Sequence, residues 1–108
     1  KNRELISRID HYFRHLYRIF KYIDETDLID EKERYDYASI VRSQLSDYEL
    51  VMLFYNCLAQ KDNGTKENKF KPLIETYAIF NNLREDLLAK KDHYKLYNDG
   101  AYEYKKQI

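Results

Sequence analysis

A row of arginine and histidine side chains near the start of the chain is the first feature that could carry chemistry. In "RIDHYFRHLYRIFKY" these residues fall at i, i+3, i+7, i+10 and i+14, the spacing of one face of a helix. The row comprises Arg8, His11, His15, Arg18 and Tyr22, with Arg14 and Lys21 beside it. Guanidinium and imidazole groups can hold phosphate or carboxylate oxygens. The row therefore predicts either an anion- or partner-binding face, or a solvated flank that pairs with acidic neighbours such as Asp10 or residues of the segment 30–44.

A catalytic interpretation uses two members of this row. Six residues separate Arg8 from His15, which meets the loose end of the R-x4-6-H pattern of helical HEPN-type ribonucleases. In such an enzyme the two side chains would assist attack of a ribose 2′-hydroxyl and stabilise the phosphorane-like charge, without a metal. A chain with seven Arg and three His gives roughly 0.6 such matches by chance. The spacing alone therefore does not decide whether the chain is such a ribonuclease.

Other reaction types find less support in the sequence. His11 and His15 are spaced i, i+4, so both imidazoles could reach one metal ion, but no glutamate follows the first histidine and no third ligand is evident. The sequence contains no Walker-type glycine loop, no G-x-S-x-G and no H-E-x-x-H. Cys57 lies in the most apolar stretch, where we expect an inert core thiol. We therefore expect no metal and no cofactor.

Polar residues between positions 42 and 56 form a second group of candidates. Ser46 and Glu49 make the S-x-x-E pattern of a capping box, which predicts a helix start. Arg42 is either a further anion- or partner-binding residue or the partner of Glu49 across the turn. Asn56 sits among apolar neighbours, so its amide is predicted to pin an adjacent backbone or to line a cavity. Glu49 and Asn56 are both predicted to be buried polar groups.

The elements that must position these residues are predicted to be helices. The chain has only two glycines and one proline in 108 residues, so it contains few helix-breaking residues. Apolar residues recur at helical spacing through the chain. We expect an all-α fold, a single compact bundle of four to five helices. The predicted helices cover about 2–24, 30–44, 47–60 and, with Pro72 in its first turn, the segment to about 81, with a further helix after 82.

The predicted core follows from the apolar spacing in these helices. The first helix has apolar residues at alternating spacings of four and three, which form a stripe wide enough to face a globular core. The segment 47–60 is apolar nearly all round and is placed at the centre of the bundle. Turns are predicted at Asn63-Gly64 and Asp99-Gly100. The stripe comprises Leu5, Ile9, Tyr12, Leu16, Ile19 and Ile23, with Ile6, Phe13 and Phe20 beside it.

Bulk composition limits the class of protein. A chain of 108 residues favours one domain. Its 19 basic and 19 acidic residues balance, which argues against a protein dedicated to binding nucleic acid, but this balance does not exclude a local basic patch. A single cysteine excludes an internal disulfide framework and fits a reducing compartment. No stretch approaches 18 apolar residues. Because the chain begins with Lys1 rather than Met, we expect a soluble fragment of a longer protein.

Three stretches together resemble a known family. "YFRHLYRIFKYI", "YDYASIVRSQLSDYELVMLFYNCLA" and "KFKPLIETYAIFNNL" are similar to the C-terminal domain of putative phage abortive infection proteins. The resemblance covers about residues 9–83, and "RSQLSDYEL…LFYN" is its most specific part. It implies a bacterial phage-defence role. Family members usually carry membrane-spanning segments ahead of this domain, which implies a cytoplasmic domain of a protein anchored to the inner membrane. The resemblance names a biological context and not a reaction.

The function predicted from these observations is binding within phage defence. The domain is expected to bind a phage or host component, with RNA as one candidate, or to assemble with itself as a homo-oligomer. Contact with a membrane is expected only through segments outside this chain. The alternative is a metal-independent ribonuclease that uses Arg8 and His15.

Overall fold

The computed structural model describes residues 2–59 and 68–104, and it confirms the all-α class. The described residues form helices, turns and bends without a strand. Within residues 2–59 and 68–104, four α-helices are followed by three short 3₁₀ helices. The α-helices are α1 (Asn2–Glu25), α2 (Glu31–Arg42), α3 (Asp47–Ala59) and α4 (Phe70–Tyr77), and the 3₁₀ helices are Glu85–Leu87, Lys91–Leu96 and Asp99–Ala101.

Helix α1 is the longest element and contacts each of the other three α-helices. Its 24 residues span about 36 Å. The predicted stripe is buried only from its middle onward, at Phe13, Leu16, Phe20 and Ile23. At its start Leu5 and Ile6 are 59% and 56% exposed, because no described element covers the first turns. The expectation that the whole stripe faces the core is therefore wrong for these turns.

Two capping boxes set the starts of α2 and α3. Glu49 N–H donates to Ser46 Oγ at 3.1 Å and Ser46 N–H donates to the Glu49 carboxylate at 2.8 Å, which confirms the predicted box. Asp30 and Glu33 make the same pair of bonds at the start of α2, at 2.9 and 3.1 Å. Each box satisfies amide donors that the first helical turn leaves without a partner.

Helix α3 supplies much of the core, although it is not wrapped on every side as predicted. Leu50, Leu53, Phe54 and Cys57 are buried. The Phe54 ring packs against the rings of Phe80 and Tyr97, which come from the C-terminal half of the chain. On the other side Tyr48 and Met52 are 71% and 41% exposed. One face of this apolar helix therefore remains open.

Helix α4 ends earlier than predicted. Pro72 lies in its first turn as expected, but the helix stops at Tyr77 rather than near 81, and Ala78 adopts the left-handed conformation with φ 49° and ψ 48°. The chain then turns so that Ile79 and Phe80 still reach the core, both 1% exposed. The segment 73–80 thus supplies core residues, although the last of them come from the turn and not from the helix.

The C-terminal segment packs against α4 and α3. The further helix predicted after 82 is only the 3₁₀ turn Glu85–Leu87. The predicted Asp99-Gly100 turn is present within a 3₁₀ helix that lies on α4, where Phe80 N–H donates to Ala101 O at 2.8 Å. The predicted Asn63-Gly64 turn lies outside the described residues. Over 2–59 and 68–104, no helix has both the length and the apolarity needed to cross a bilayer.

Candidate functional site

The predicted row of basic residues lies on the solvent side of α1. We define the cationic face as Arg8, His11, Arg14, His15, Arg18 and Lys21, all of which are exposed. At about 100° of turn per residue, His15 lies about 160° around the helix from the buried Phe13. The face therefore points away from the core. From Arg8 to Lys21 it extends about 20 Å along the helix.

Little negative charge interrupts this face. Asp10 is the one carboxylate between residues 8 and 21, and it accepts a hydrogen bond from Asn56 Nδ2 at 3.1 Å, on the side that meets α3. Arg8 pairs with Glu4 at 3.1 Å, where both side chains are more than 75% exposed. Such an exposed pair contributes little and leaves the guanidinium accessible. The expected pairing of the row with Asp10 is not formed.

The two residues of the ribonuclease hypothesis lie on this same exposed face. Arg8 and His15 are about 10 Å apart along the helix axis. Apart from the bond between Arg8 and Glu4, neither side chain makes a hydrogen bond to any residue that the structure describes. The arrangement offers two groups to an approaching anion, with no third described group to orient them.

Possible metal ligands are scattered through the described part of the chain. Residues 2–59 and 68–104 contain no group of three His, Cys, Asp or Glu side chains close enough to hold an ion. The third histidine, His93, lies away from α1. Its Nδ1 and the Tyr55 hydroxyl share a hydrogen bond of 2.7 Å, and Tyr55 Oη accepts from Ala89 N–H at 2.9 Å. His93 thus joins α3 to the C-terminal segment.

Arg42 has an internal role in this structure. Its Nη1 donates to the carbonyl oxygens of Tyr77 and Ala78, each at 3.0 Å, and its guanidinium lies 5.3 Å from the centre of the Tyr35 ring. The predicted pairing with Glu49 is therefore wrong. A cation at the C-terminus of α4 bonds carbonyl oxygens at the helix end and complements the helix dipole.

Glu49 and Asn56 connect α3 to α1 and are half-buried rather than buried. Tyr12 Oη donates to Glu49 at 3.0 Å, and Asn56 Nδ2 donates to the Asp10 side chain at 3.1 Å. The pKa of Glu49 is lowered, chiefly by the hydrogen bond from the Ser46 amide. Partial burial acts in the opposite direction, and the hydroxyls of Tyr12 and Ser46 lower the pKa further. The two residues thus fix how α3 crosses α1.

Cys57 occupies the predicted core position. It is 1% exposed and lies 3.6 Å from Asn68 Oδ1. Burial raises the pKa of its thiol, so the protonated and less nucleophilic form is favoured.

A cavity of about 700 Å³ is the feature that the sequence did not predict. It opens where the end of α1 and the start of α2 meet α4 and the last 3₁₀ helix. Tyr77 Oη donates to Asp24 there at 2.6 Å, and Arg34 Nη2 donates to Thr26 O at 2.9 Å, while the buried Arg34 Nε has no partner among the described residues. The lining comprises Asp24, Glu31, Arg34, Glu75, Thr76, Tyr77, Asn98, Asp99, Gly100 and Tyr104.

Carboxylates dominate this cavity, which favours a cationic group over an anion. Its lining comes from three stretches far apart in the chain, 24–34, 75–77 and 98–104. No sequence spacing could therefore have indicated it.

Comparison with known proteins gives one match. A sequence model of the family described as putative phage abortive infection protein matches residues 4–87. The match confirms the resemblance and includes α1 to α4 with the first 3₁₀ helix. Neither a curated protein nor a solved structure matches the chain significantly.

Proposed function

Because the chain belongs to the family of putative phage abortive infection proteins, we propose that it acts in phage defence by binding. The cationic face is the contact surface, and its partner is an anionic surface of a phage or host component, RNA included. We place this contact in the bacterial cytoplasm. The family match supports a role in abortive infection, and the arrangement of charge on α1 supports the binding of an anionic partner.

The observation that supports this proposal is the local separation of charge. Four Arg or Lys side chains share one exposed face about 20 Å long, in a chain whose formal net charge is zero. Such a patch attracts an anionic partner and accelerates encounter, even when bulk charge gives no attraction. Arginine is also suited to bidentate contact with carboxylate and phosphate groups.

The test is a phage challenge of cells that express the full-length protein with Arg14→Glu and Arg18→Glu. Both side chains are exposed and make no hydrogen bond to a described residue, so the fold should survive. We expect protection against phage to be lost. The matched control is Lys32→Glu with Lys90→Glu, which reverses two exposed charges elsewhere and should keep protection.

Equal protection by wild type and by the Arg14→Glu, Arg18→Glu variant would remove the cationic face from the mechanism. The ribonuclease alternative makes a different prediction, because it requires RNA cleavage by the purified chain that disappears in His15→Ala while the fold survives. Binding without turnover predicts no cleavage by the wild-type chain.

A further inference from the structure

Three cations of the cationic face form a continuous ridge along one side of it. Arg14, Arg18 and Lys21 follow the spacing i, i+4, i+7, which places them within about 60° of one another around α1. All three side chains are exposed, and none bonds to a residue that the structure describes. We call these three residues the cation ridge. Their charges are therefore available to an anionic partner.

A second ridge, beside the first, carries flat rings. His11, His15 and Tyr22 fall within about 40° of one another around α1, and on average about 70° from the cation ridge. From His11 to Tyr22 this ring ridge extends about 16 Å along the helix. Arg8 lies on its far side, so the rings have positive charge on both flanks.

The rings of this ridge are free to stack on a ligand. Tyr22 is 64% exposed, and the two histidines are exposed as well. None of the three side chains makes a ring contact or a hydrogen bond to a described residue. In contrast, the rings of Tyr35 and Tyr104 stack on each other with their centres 3.6 Å apart.

We propose that the cationic face binds single-stranded RNA, with phosphates on the cation ridge and bases stacked on the ring ridge. Each nucleotide of a single strand offers an anionic phosphate and a planar base that can be unstacked from its neighbours. These are the two groups that the two ridges accept. The inference rests on the function proposed above and names the partner of the same surface.

Other polyanions match only one of the two ridges. An acidic polypeptide surface would pair its carboxylates with the cation ridge and leave the ring ridge without a partner. In a duplex each base is already stacked between its neighbours, so its face is closed to a protein ring. A row of rings beside a row of cations is instead typical of surfaces that bind single strands.

The acceptors on the face favour RNA over DNA. Arginine and lysine side chains only donate hydrogen bonds, whereas a neutral imidazole and a tyrosine hydroxyl can also accept them. The 2′-hydroxyl of RNA is a donor that DNA lacks. His11, His15 and Tyr22 therefore offer acceptors that a ribose can use and a deoxyribose cannot.

The first experiment measures binding of the full chain by fluorescence anisotropy. The probe is a labelled single-stranded RNA of about 12 nucleotides made of adenine and cytosine, which cannot pair with itself. We expect binding to this RNA, weaker binding to DNA of the same sequence, and little competition from duplex RNA or polyglutamate. Absence of RNA binding, equal binding of DNA, or equal competition by polyglutamate or duplex would overturn the proposal.

The second experiment separates stacking from phosphate contact by the dependence on salt. Each phosphate contact to a single strand contributes about −0.7 to the slope of log K against log salt concentration, so four Arg or Lys side chains predict a slope of roughly −2 to −3. Arg18→Met should make this slope shallower by about 0.7. Tyr22→Ala should lower the affinity by roughly 5- to 150-fold and leave the slope unchanged, because stacking carries no charge.

Two further variants control for the loss of a tyrosine. Tyr22→Phe keeps the ring and should keep most of the affinity. Tyr48 is 71% exposed on α3 between Asp47 and Glu49, so Tyr48→Ala should bind RNA as wild type does. Circular dichroism should show the wild-type helix content in each variant. Wild-type affinity in Tyr22→Ala, or an equal loss in Tyr48→Ala, would overturn the role of the ring ridge.

This inference and the proposed function can fail separately. If the Arg14→Glu, Arg18→Glu variant loses protection against phage but the wild-type chain binds no RNA, the face acts on another anion and only the RNA assignment falls. If that variant keeps protection, the proposed function itself falls, whatever the purified chain binds.

Discussion

At the scale of single residues, Glu49 performs three tasks. It completes the capping box with Ser46, accepts the Tyr12 hydroxyl at 3.0 Å, and thereby connects the first turn of α3 to α1. These bonds favour the ionised carboxylate, with the Ser46 amide as the largest cause, and they lower the pKa of Glu49. The sequence indicated the cap because a capping box is a local pattern. It could not indicate Tyr12, which lies 37 positions away.

The lowered pKa of Glu49 gives a testable pH dependence. Since the folded-state pKa lies below the unfolded value of about 4.3, the stabilisation is complete above that value and is lost as the pH falls through the folded-state pKa. Glu49→Gln keeps an oxygen acceptor at this position but cannot ionise. We expect its free energy of unfolding, from urea titrations at pH 7 and below pH 4, to change less with pH than that of wild type.

The control for this variant is Glu25→Gln, which removes an exposed carboxylate at the end of α1. It should retain the wild-type pH dependence. A wild-type pH dependence in Glu49→Gln would show that the cap does not require the charged form.

At the scale of elements, the end of α4 depends on a residue from α2. Ala78 has a positive φ of 49°, which costs energy for a residue with a Cβ, and its side chain is fully buried. Arg42 bonds the carbonyls of Tyr77 and Ala78 and so holds the turn that returns Ile79 and Phe80 to the core. The tertiary contact overrides the local tendency of the apolar segment to continue as a helix.

Replacement of Arg42 should therefore destabilise the fold. We expect Arg42→Met to lower the free energy of unfolding by about 1.5–3 kcal/mol, because two carbonyls lose a charged donor in a half-buried site. Urea unfolding at neutral pH measures this change. Arg18→Met, which removes an exposed arginine, should change stability by less than about 0.5 kcal/mol. Equal effects of the two substitutions would contradict this role for Arg42.

At the scale of the whole molecule, the core extends beyond the span that identifies the family. The family match ends at residue 87, yet Leu88, Tyr97 and Ala101 are buried. Tyr97 Oη donates to Phe54 O at 2.8 Å, and its ring packs on Phe54 and Phe80. The C-terminal segment is thus a structural part of the bundle, although its sequence signal is slight.

Substitution of Gly100 tests how closely the C-terminal segment must approach α4. A Cβ at this position would overlap the carbonyl oxygen of Glu75 in α4, so the backbones must separate to admit it. We expect Gly100→Ala to cost roughly 1–3 kcal/mol in thermal or urea unfolding. Glu103→Ala, an exposed substitution in the same segment, should be close to neutral. A stable Gly100→Ala chain would mean that the segment is not held against α4.

The sequence predicted well what depends on local pattern. The all-α class, the Ser46 capping box, Pro72 in the first turn of α4 and the exposure of the Arg and His row all follow from spacing within one segment. Asn56 shows the limit of such reasoning. Its polarity among apolar neighbours predicted that it must bond, but its partner Asp10 lies 46 positions away.

What the sequence determined by itself is therefore the all-α class with its four α-helices in the described residues, the side of α1 that carries positive charge, and the family, because each is contained in contiguous residues. Only the tertiary structure decided that Arg42 holds the end of α4, that a carboxylate-lined cavity forms, and that Leu5 and Ile6 remain uncovered. The physical reason is that helical periodicity fixes which residues share a face. Packing between distant segments then decides which part of that face is buried.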